Sequence, residues 1–165
     1  MVNFIEKIEP TNSLDSNDTY GYSASMSADG TRIIIGARGD DGDGNTASGA
    51  GAAYIFKLNG STWVEEEKLT GEAASDVFGY SVAMSADGNS VIVGADSSLA
   101  YIFKYNETTS QWDEVQKLTG TLGDQFGRSV AMSADGNSAI VGARSDDETA
   151  DNAGAAYIYR LDGSW

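Results

Sequence analysis

The chain has 165 residues, 41% of them hydrophobic, and sets 10 Lys and Arg against 25 Asp and Glu for a formal charge of −15, a balance that repels nucleic acid and anionic membranes. It contains no Cys and no His, which excludes disulfides, cysteine redox chemistry, zinc sites of the usual kind and every nucleophile–His arrangement. No apolar run approaches the roughly 18 residues of a membrane span, so no membrane insertion is expected, and Met1 to Pro10 is too polar for a signal peptide.

Residues 3–10, from Asn3 to Pro10, match Val64 to Gly71 in register, so the chain opens on a strand that belongs at the edge of a sheet. A segment beginning Asp18-Thr-Tyr-Gly-Tyr-Ser then recurs as Asp76-Val-Phe-Gly-Tyr-Ser and Asp124-Gln-Phe-Gly-Arg-Ser, and a repeat of this length signals an array. Its first strand alternates large and small residues: Phe78, Tyr80, Val82 and Met84 are expected on one face, Gly79, Ser81, Ala83 and Ser85 on the other. Ser-Ala-Asp-Gly follows in every copy, and an Asp-Gly pair between apolar runs predicts a tight hairpin. The second strand, Val91 to Ala95 with counterparts Ile33 to Ala37 and Ala139 to Ala143, is β-branched or small throughout, as a strand covered on both faces requires. Its loop varies most: Arg38 to Ser48, Asp96 to Ser98, and Arg144 to Asn152. The third strand returns as Ala52 to Lys57, Ala100 to Lys104 and Ala155 to Arg160. A charged fourth strand follows in Trp63 to Thr70 and Trp112 to Thr119, and its Glu and Lys suit an outer edge.

One unit is therefore a four-stranded antiparallel meander. The predicted class is all-β: β-propeller blades, three to the chain. Residues 1–10 supply an outer strand, 11–70 the first blade, 71–119 the second, and 120–165 a third that stops where its outer strand should begin. Three blades are too few for the usual closed ring of about 4–8. The two defects are complementary, so head-to-tail dimerisation is expected to give a closed six-bladed ring, with Phe4, Ile5 and Ile8 of one chain beside Tyr157, Ile158 and Tyr159 of another. A larger ring, an open filament, or a piece of a longer array are the alternatives.

Aromatic-Gly at Tyr20-Gly21, Phe78-Gly79 and Phe126-Gly127, followed by Gly-Ala at 36–37, 94–95 and 142–143, resembles the FG-GAP repeat of integrin α-chain propellers. The resemblance implies a binding or adhesion module that uses the loops of one face, in an extracellular or cell-surface setting. The motif's Pro is replaced by Arg38, Asp96 and Arg144. Many members carry a calcium loop between the first two strands; here that turn holds only Asp29, Asp87 or Asp135, and one carboxylate cannot fill a shell of about 6–8 oxygens. The chain is similar to the subgroup lacking the ion.

Oxygen donors at Asp40, Asp41, Asp43 and Asn45, and at Asp146, Asp147, Glu148 and Asp151, offer a different place where a calcium ion could bind; the alternative is a hydrophilic surface loop. Arg38-Gly39-Asp40 matches the tripeptide of integrin ligands. Together with Asp18, Asp76 and Asp124, these carboxylates predict an acidic face that favours cations, a basic protein or, on exposed rings, a glycan. The functional expectation is a non-catalytic binding scaffold that also partners itself. A purely structural or engineered repeat, and a carbohydrate-active enzyme using Asp76 and Asp124, are the alternatives.

Overall fold

The computed structural model describes residues 6–11, 14–42, 49–72 and 74–161, which fold as eleven strands. The first sheet holds β1 (Tyr20–Met26), β2 (Arg32–Ala37), β3 (Ala52–Asn59) and β4 (Thr62–Thr70). The second holds β5 (Ser81–Met84), β6 (Ser90–Ala95), β7 (Leu99–Asn106) and β8 (Gln111–Thr119). The third holds β9 (Phe126–Met132), β10 (Ser138–Ala143) and β11 (Ala155–Arg160). Each sheet is ordered as an antiparallel meander, giving three blades of four, four and three strands among the described residues. Blade 1 packs on blade 2 and blade 2 on blade 3 through their inner strands.

The hairpin between the first two strands is built identically in each blade. Asp29, Asp87 and Asp135 each accept the preceding Ser hydroxyl (Ser27, Ser85, Ser133) and the backbone N–H two residues on, while the same Ser oxygen accepts the N–H of Arg32, Ser90 or Ser138. Only the Gly of each Asp-Gly pair, Gly30, Gly88 or Gly136, has positive φ. The turn needs Gly there and a short acceptor before it.

The first strand departs from the simple alternation expected of it. Tyr20 pairs with Ala37 and Ser23 with Gly36, so Gly21 and Tyr22 bulge out of the ladder; Gly127 and Arg128 do the same in blade 3, between Phe126 and Ser129. Gly21, Gly79 and Gly127 have φ of +87°, +81° and +91°, which turns the chain between the aromatic residue and the one after Gly. Phe78 therefore enters the core with Val82 and Met84, whereas Tyr80 lies outside it against Tyr22.

Two clusters cement the blades. Between blades 1 and 2, Ile34 and Ile55 meet Phe78, Val91, Val93, Tyr101 and Phe103. Between blades 2 and 3, Ile92 and Ile102 meet Phe126, Ala139, Val141, Tyr157 and Tyr159. Alternate residues of the same strand thus serve successive interfaces, and β2 and β6 are covered on both faces; β10 is not, for Ile140 is 40% exposed. A third cluster, around Ile33, Tyr54 and Phe56, lies on the free face of blade 1.

Residues 6–10, expected as an outer strand, join no ladder. An extended segment becomes a strand only with a sheet edge to pair with, and β4 already occupies that of blade 1. Ile8 nevertheless packs onto the free face of blade 1. In register it corresponds to Leu69 and Leu118, which close the two interfaces between blades.

Candidate functional site

The residues singled out for chemistry fall into three places: the carboxylates before β1 and after β2, the row of bulge residues, and the edge of blade 3.

The carboxylates turn inward. Asp40 and Asp146 are buried, and each accepts the hydroxyl of a third-strand tyrosine, Tyr54 and Tyr157 respectively. Asp40 also accepts the Gly42 N–H at 2.8 Å and pairs with Lys68 at 3.2 Å. Asp146 accepts the Glu148 N–H at 3.1 Å. Asp41 accepts from the N–H of Gly49 and Asp147 from that of Asn152, bonds that tie their own loops. Asp18, Asp76 and Asp124 are buried too, and their backbone carbonyls receive Gly39, Asp96 and Ser145 N–H groups, docking the loop after β2, β6 or β10 against the segment before β1, Phe78 or β9. Burial raises the Asp18 carboxyl above its ordinary pKa, opposed by a hydrogen bond from the Asp15 N–H and assisted by the charge of Asp40.

The expected acidic face is thus thinner than the sequence implies, because five of its aspartates stitch the blades internally; Asp15, Asp147, Glu148 and Asp151 stay exposed. Among the described residues no three carboxylates converge as a metal site. Asp43 and Asn45 lie outside those residues. The Arg38-Gly39-Asp40 tripeptide is not displayed as a unit, since the Asp40 carboxylate is committed to Tyr54 and Lys68 while the Arg38 guanidinium lies over the Tyr22 ring, 4.2 Å from its centroid.

Blade 2 is the exception that makes the tyrosine–aspartate pair testable. Its loop is shorter, Ser98 stands where Asp40 and Asp146 stand in the other blades, and among the described residues the buried Tyr101 hydroxyl has no acceptor for its proton. Tyr54→Phe is expected to cost about 1.5–3 kcal/mol, the range for a hydrogen bond to a charged group. Tyr157→Phe should also destabilise. Tyr101→Phe should cost less than either, because it gives up no hydrogen bond to a carboxylate. Urea melts of the three variants distinguish these outcomes.

The same pairs contribute to alkaline stability. The hydrogen bond to Asp146, with partial burial and the Asp146 charge behind it, pushes the Tyr157 hydroxyl up to about 12 from an ordinary 10.0. Burial first, then the bond to Asp40, raises that of Tyr54 further. A folded tyrosine that holds its proton longer than the unfolded one gives stability that is complete below pH about 10 and lost as pH climbs through the folded value. Melting temperature should therefore fall between about pH 10 and 12, and Tyr157→Phe should flatten that fall.

The bulge residues form a continuous strip. Tyr22 and Tyr80 meet edge to face at 5.2 Å, Arg38 lies over both rings, and Arg128 sits over Tyr80 at 5.2 Å while clamping Asp96 with two nitrogens. Beyond Arg128 opens a cleft of about 350 Å³ lined by Tyr80, Gln125, Ser129, Gly142 and Arg144. It gathers donors but no paired carboxylates. Asp76 and Asp124, the pair weighed for glycoside chemistry, sit buried in separate blades.

At the edge of blade 3, Ile158 is 77% exposed, while Tyr157 and Tyr159 point back to Phe126. Of the residues expected at the junction between chains, Phe4 and Ile5 lie outside the described residues, Ile8 covers blade 1, and Ile158 alone among the three of β11 faces outward.

A bulged aromatic-Gly pair pressed against the Gly-Ala of the preceding blade is the structural content of the repeat, and the model of the FG-GAP repeat matches residues 5–56, 63–103 and 112–159. The chain belongs to the FG-GAP repeat family. Among solved structures, Sqt1 of Saccharomyces cerevisiae superposes on this FG-GAP chain with a TM-score of 0.59 at 12% identity, over 89% of the chain and 33% of Sqt1. At that identity the likeness is one of fold, and the three FG-GAP blades span about a third of Sqt1. No curated protein sequence matches the chain.

Proposed function

We propose that this FG-GAP chain is a non-catalytic protein-interaction scaffold of the adhesion type, working at a cell surface or outside the cell, and that it assembles head-to-tail. The observation that carries the assembly is Ile158. Its counterparts Ile55 and Ile102 are fully buried beneath the next blade, and Ile158 itself is 77% exposed. A large β-branched side chain at a position that is core in both sister blades marks a face made to be covered. The sequence match of residues 3–10 to β4 and β8 supports the first segment of a second copy as the outer strand of blade 3. The formal charge of −15 supports basic partners for the assembled particle.

Sedimentation velocity across micromolar concentrations tests the reading. The expected result is a species of twice the 17.3 kDa chain mass, reduced to the single chain by Ile158→Asp. A wild-type chain that stays monomeric at every concentration overturns it.

A further inference from the structure

Blade 1 grips blade 2, and blade 2 grips blade 3, through the same small device, and blade 3 carries the residues of a further copy. At the first interface the Ser23 hydroxyl donates to the Gly79 carbonyl at 2.9 Å, and a Cβ on Gly36 would overlap that same oxygen. At the second, Ser81 donates to the Gly127 carbonyl at 2.7 Å, and a Cβ on Gly94 would overlap it. A serine on the first strand and a glycine on the second thus form a notch that receives the carbonyl of the next blade's aromatic-Gly bulge.

In blade 3 the corresponding residues are Ser129 and Gly142. Among the described residues, a Cβ on Gly142 would meet only Ser129, at ordinary contact distances from 3.4 Å. The notch opens into the 350 Å³ cleft beside Tyr80 and Arg144. At the other end of the array, Gly21 is the matching bulge, and a Cβ added there would touch nothing within 4 Å. Among the described residues, the notch of blade 3 and the tongue of blade 1 thus engage no other blade.

Two further series end in the same way. The Ala28 N–H donates to the Ala86 carbonyl at 2.8 Å and the Ala86 N–H to the Ala134 carbonyl at 2.9 Å, which leaves the Ala134 N–H and the Ala28 carbonyl as the open ends of one repeated contact. Met84 is 8% exposed under blade 1, whereas Met26, at its position in blade 1, is 56% exposed. On blade 3 a cleft of about 260 Å³ floored by Ile140 and Ile158 is the counterpart of the surface that covers Met84.

We infer that blade 3 receives blade 1 of a second copy through this latch, an inference that rests on the head-to-tail reading above and names the residues that decide it. The second copy's Gly21 carbonyl accepts the Ser129 hydroxyl proton over Gly142, its Ala28 carbonyl accepts the Ala134 N–H, and its Met26 enters the cleft over Ile140 and Ile158. Complementarity argues for a second copy as the occupant. The notch, the donor and the apolar floor match the free face of blade 1 in the geometry that blades 2 and 3 already present to their neighbours.

Gly142→Val is the decisive substitution, because valine fills the notch, suits a strand, and meets no neighbouring blade within the chain. Wild type and variant are compared by sedimentation velocity, with circular dichroism and thermal melts of the dissociated chains establishing that both fold. The expected result is an assembling wild type and a variant that is folded and monomeric. Ser129→Ala, which removes the donor alone, should weaken association about fivefold. If wild type assembles and Gly142→Val assembles equally well, or if Ser129→Ala associates as tightly as wild type, the latch is wrong while the head-to-tail reading stands. A wild type that never self-associates removes both.

Discussion

Replacing Gly94 by valine is expected to break the blade stack, with a loss of about 3 kcal/mol or more and blade 3 released from cooperative unfolding. The backbone of β6 at Gly94 lies so close to the bulge of blade 3 that a Cβ would occupy the place of the Gly127 carbonyl oxygen, and backbone cannot step aside as a flexible side chain can. Relieving the overlap would pull Phe126 away from Ile92 and Ile102, whose burial holds blades 2 and 3 together. The Ser81 bond to Gly127 would be lost with it, stranding a carbonyl at the interface. Urea unfolding followed by tryptophan fluorescence should lose its single transition or shift it to far lower denaturant. A Gly94→Val protein as stable as wild type would mean that the interface is looser than its geometry implies. The residue that makes this test sharp is Gly142, chemically the same and in the same strand position, where valine is expected to leave the fold intact.

How much of this was legible in the sequence depends on the kind of signal. Period-two alternation and Asp-Gly turns define the blades because they report local geometry, and the observed strands fall within a few residues of those expected. The bulge was invisible to the same logic. Tyr22, Tyr80 and Arg128 read as ordinary members of an alternating strand, and only a positive φ at the preceding Gly places them outside the core. The aromatic-Gly pair itself was the clue, since Gly inside a strand marks a bulge or a close backbone approach, and here it marks both. The aspartates show a second limit. Asp40 and Asp146 stand in polar loops that suggest exposure, yet third-strand tyrosines fourteen and eleven residues away draw them inward. The recurrence of Tyr54 and Tyr157 in the two blades that keep the Asp, against Ser98 with Tyr101 in the blade that lacks it, was the available signal. At the edge of blade 3, alternation puts Ile158 on the face opposite Tyr157 and Tyr159, but it does not say which face is already filled, and all three were expected at the junction. That follows only from the order in which the blades stack.

Arg32 carried no signal at all, and its removal should be the costliest change of a single charged residue. Its place in the repeat is held by Ser90 and Ser138 in the other blades. In blade 1 the guanidinium reaches across to blade 2, donating to the Gly88 carbonyl at 3.1 Å and to Asn89 Oδ1 at 2.6 Å, and pairs with Glu66 at 2.7 Å. Its plane lies over Tyr105 and Trp112, 4.4 Å and 5.3 Å from the ring centroids, and the Trp112 indole N–H donates to the second Glu66 oxygen at 3.2 Å. Both charged side chains are nearly enclosed, at 7% and 13% exposure. Arg32→Ala would leave Glu66 with one donor in a setting that excludes water, and should cost about 3–5 kcal/mol, the range for breaking a buried ion pair from one side. Arg32→Lys should recover little, since a single ammonium cannot serve the turn, the carboxylate and two ring faces at once. The double change Arg32→Met with Glu66→Leu removes both charges together and should lie nearer to wild type than Arg32→Ala does. Urea midpoints of the three proteins decide the matter. If the double variant falls below Arg32→Ala, the cluster acts through geometry at the turn of blade 2 rather than through charge, and the first interface is held by its hydrogen bonds to Gly88 and Asn89.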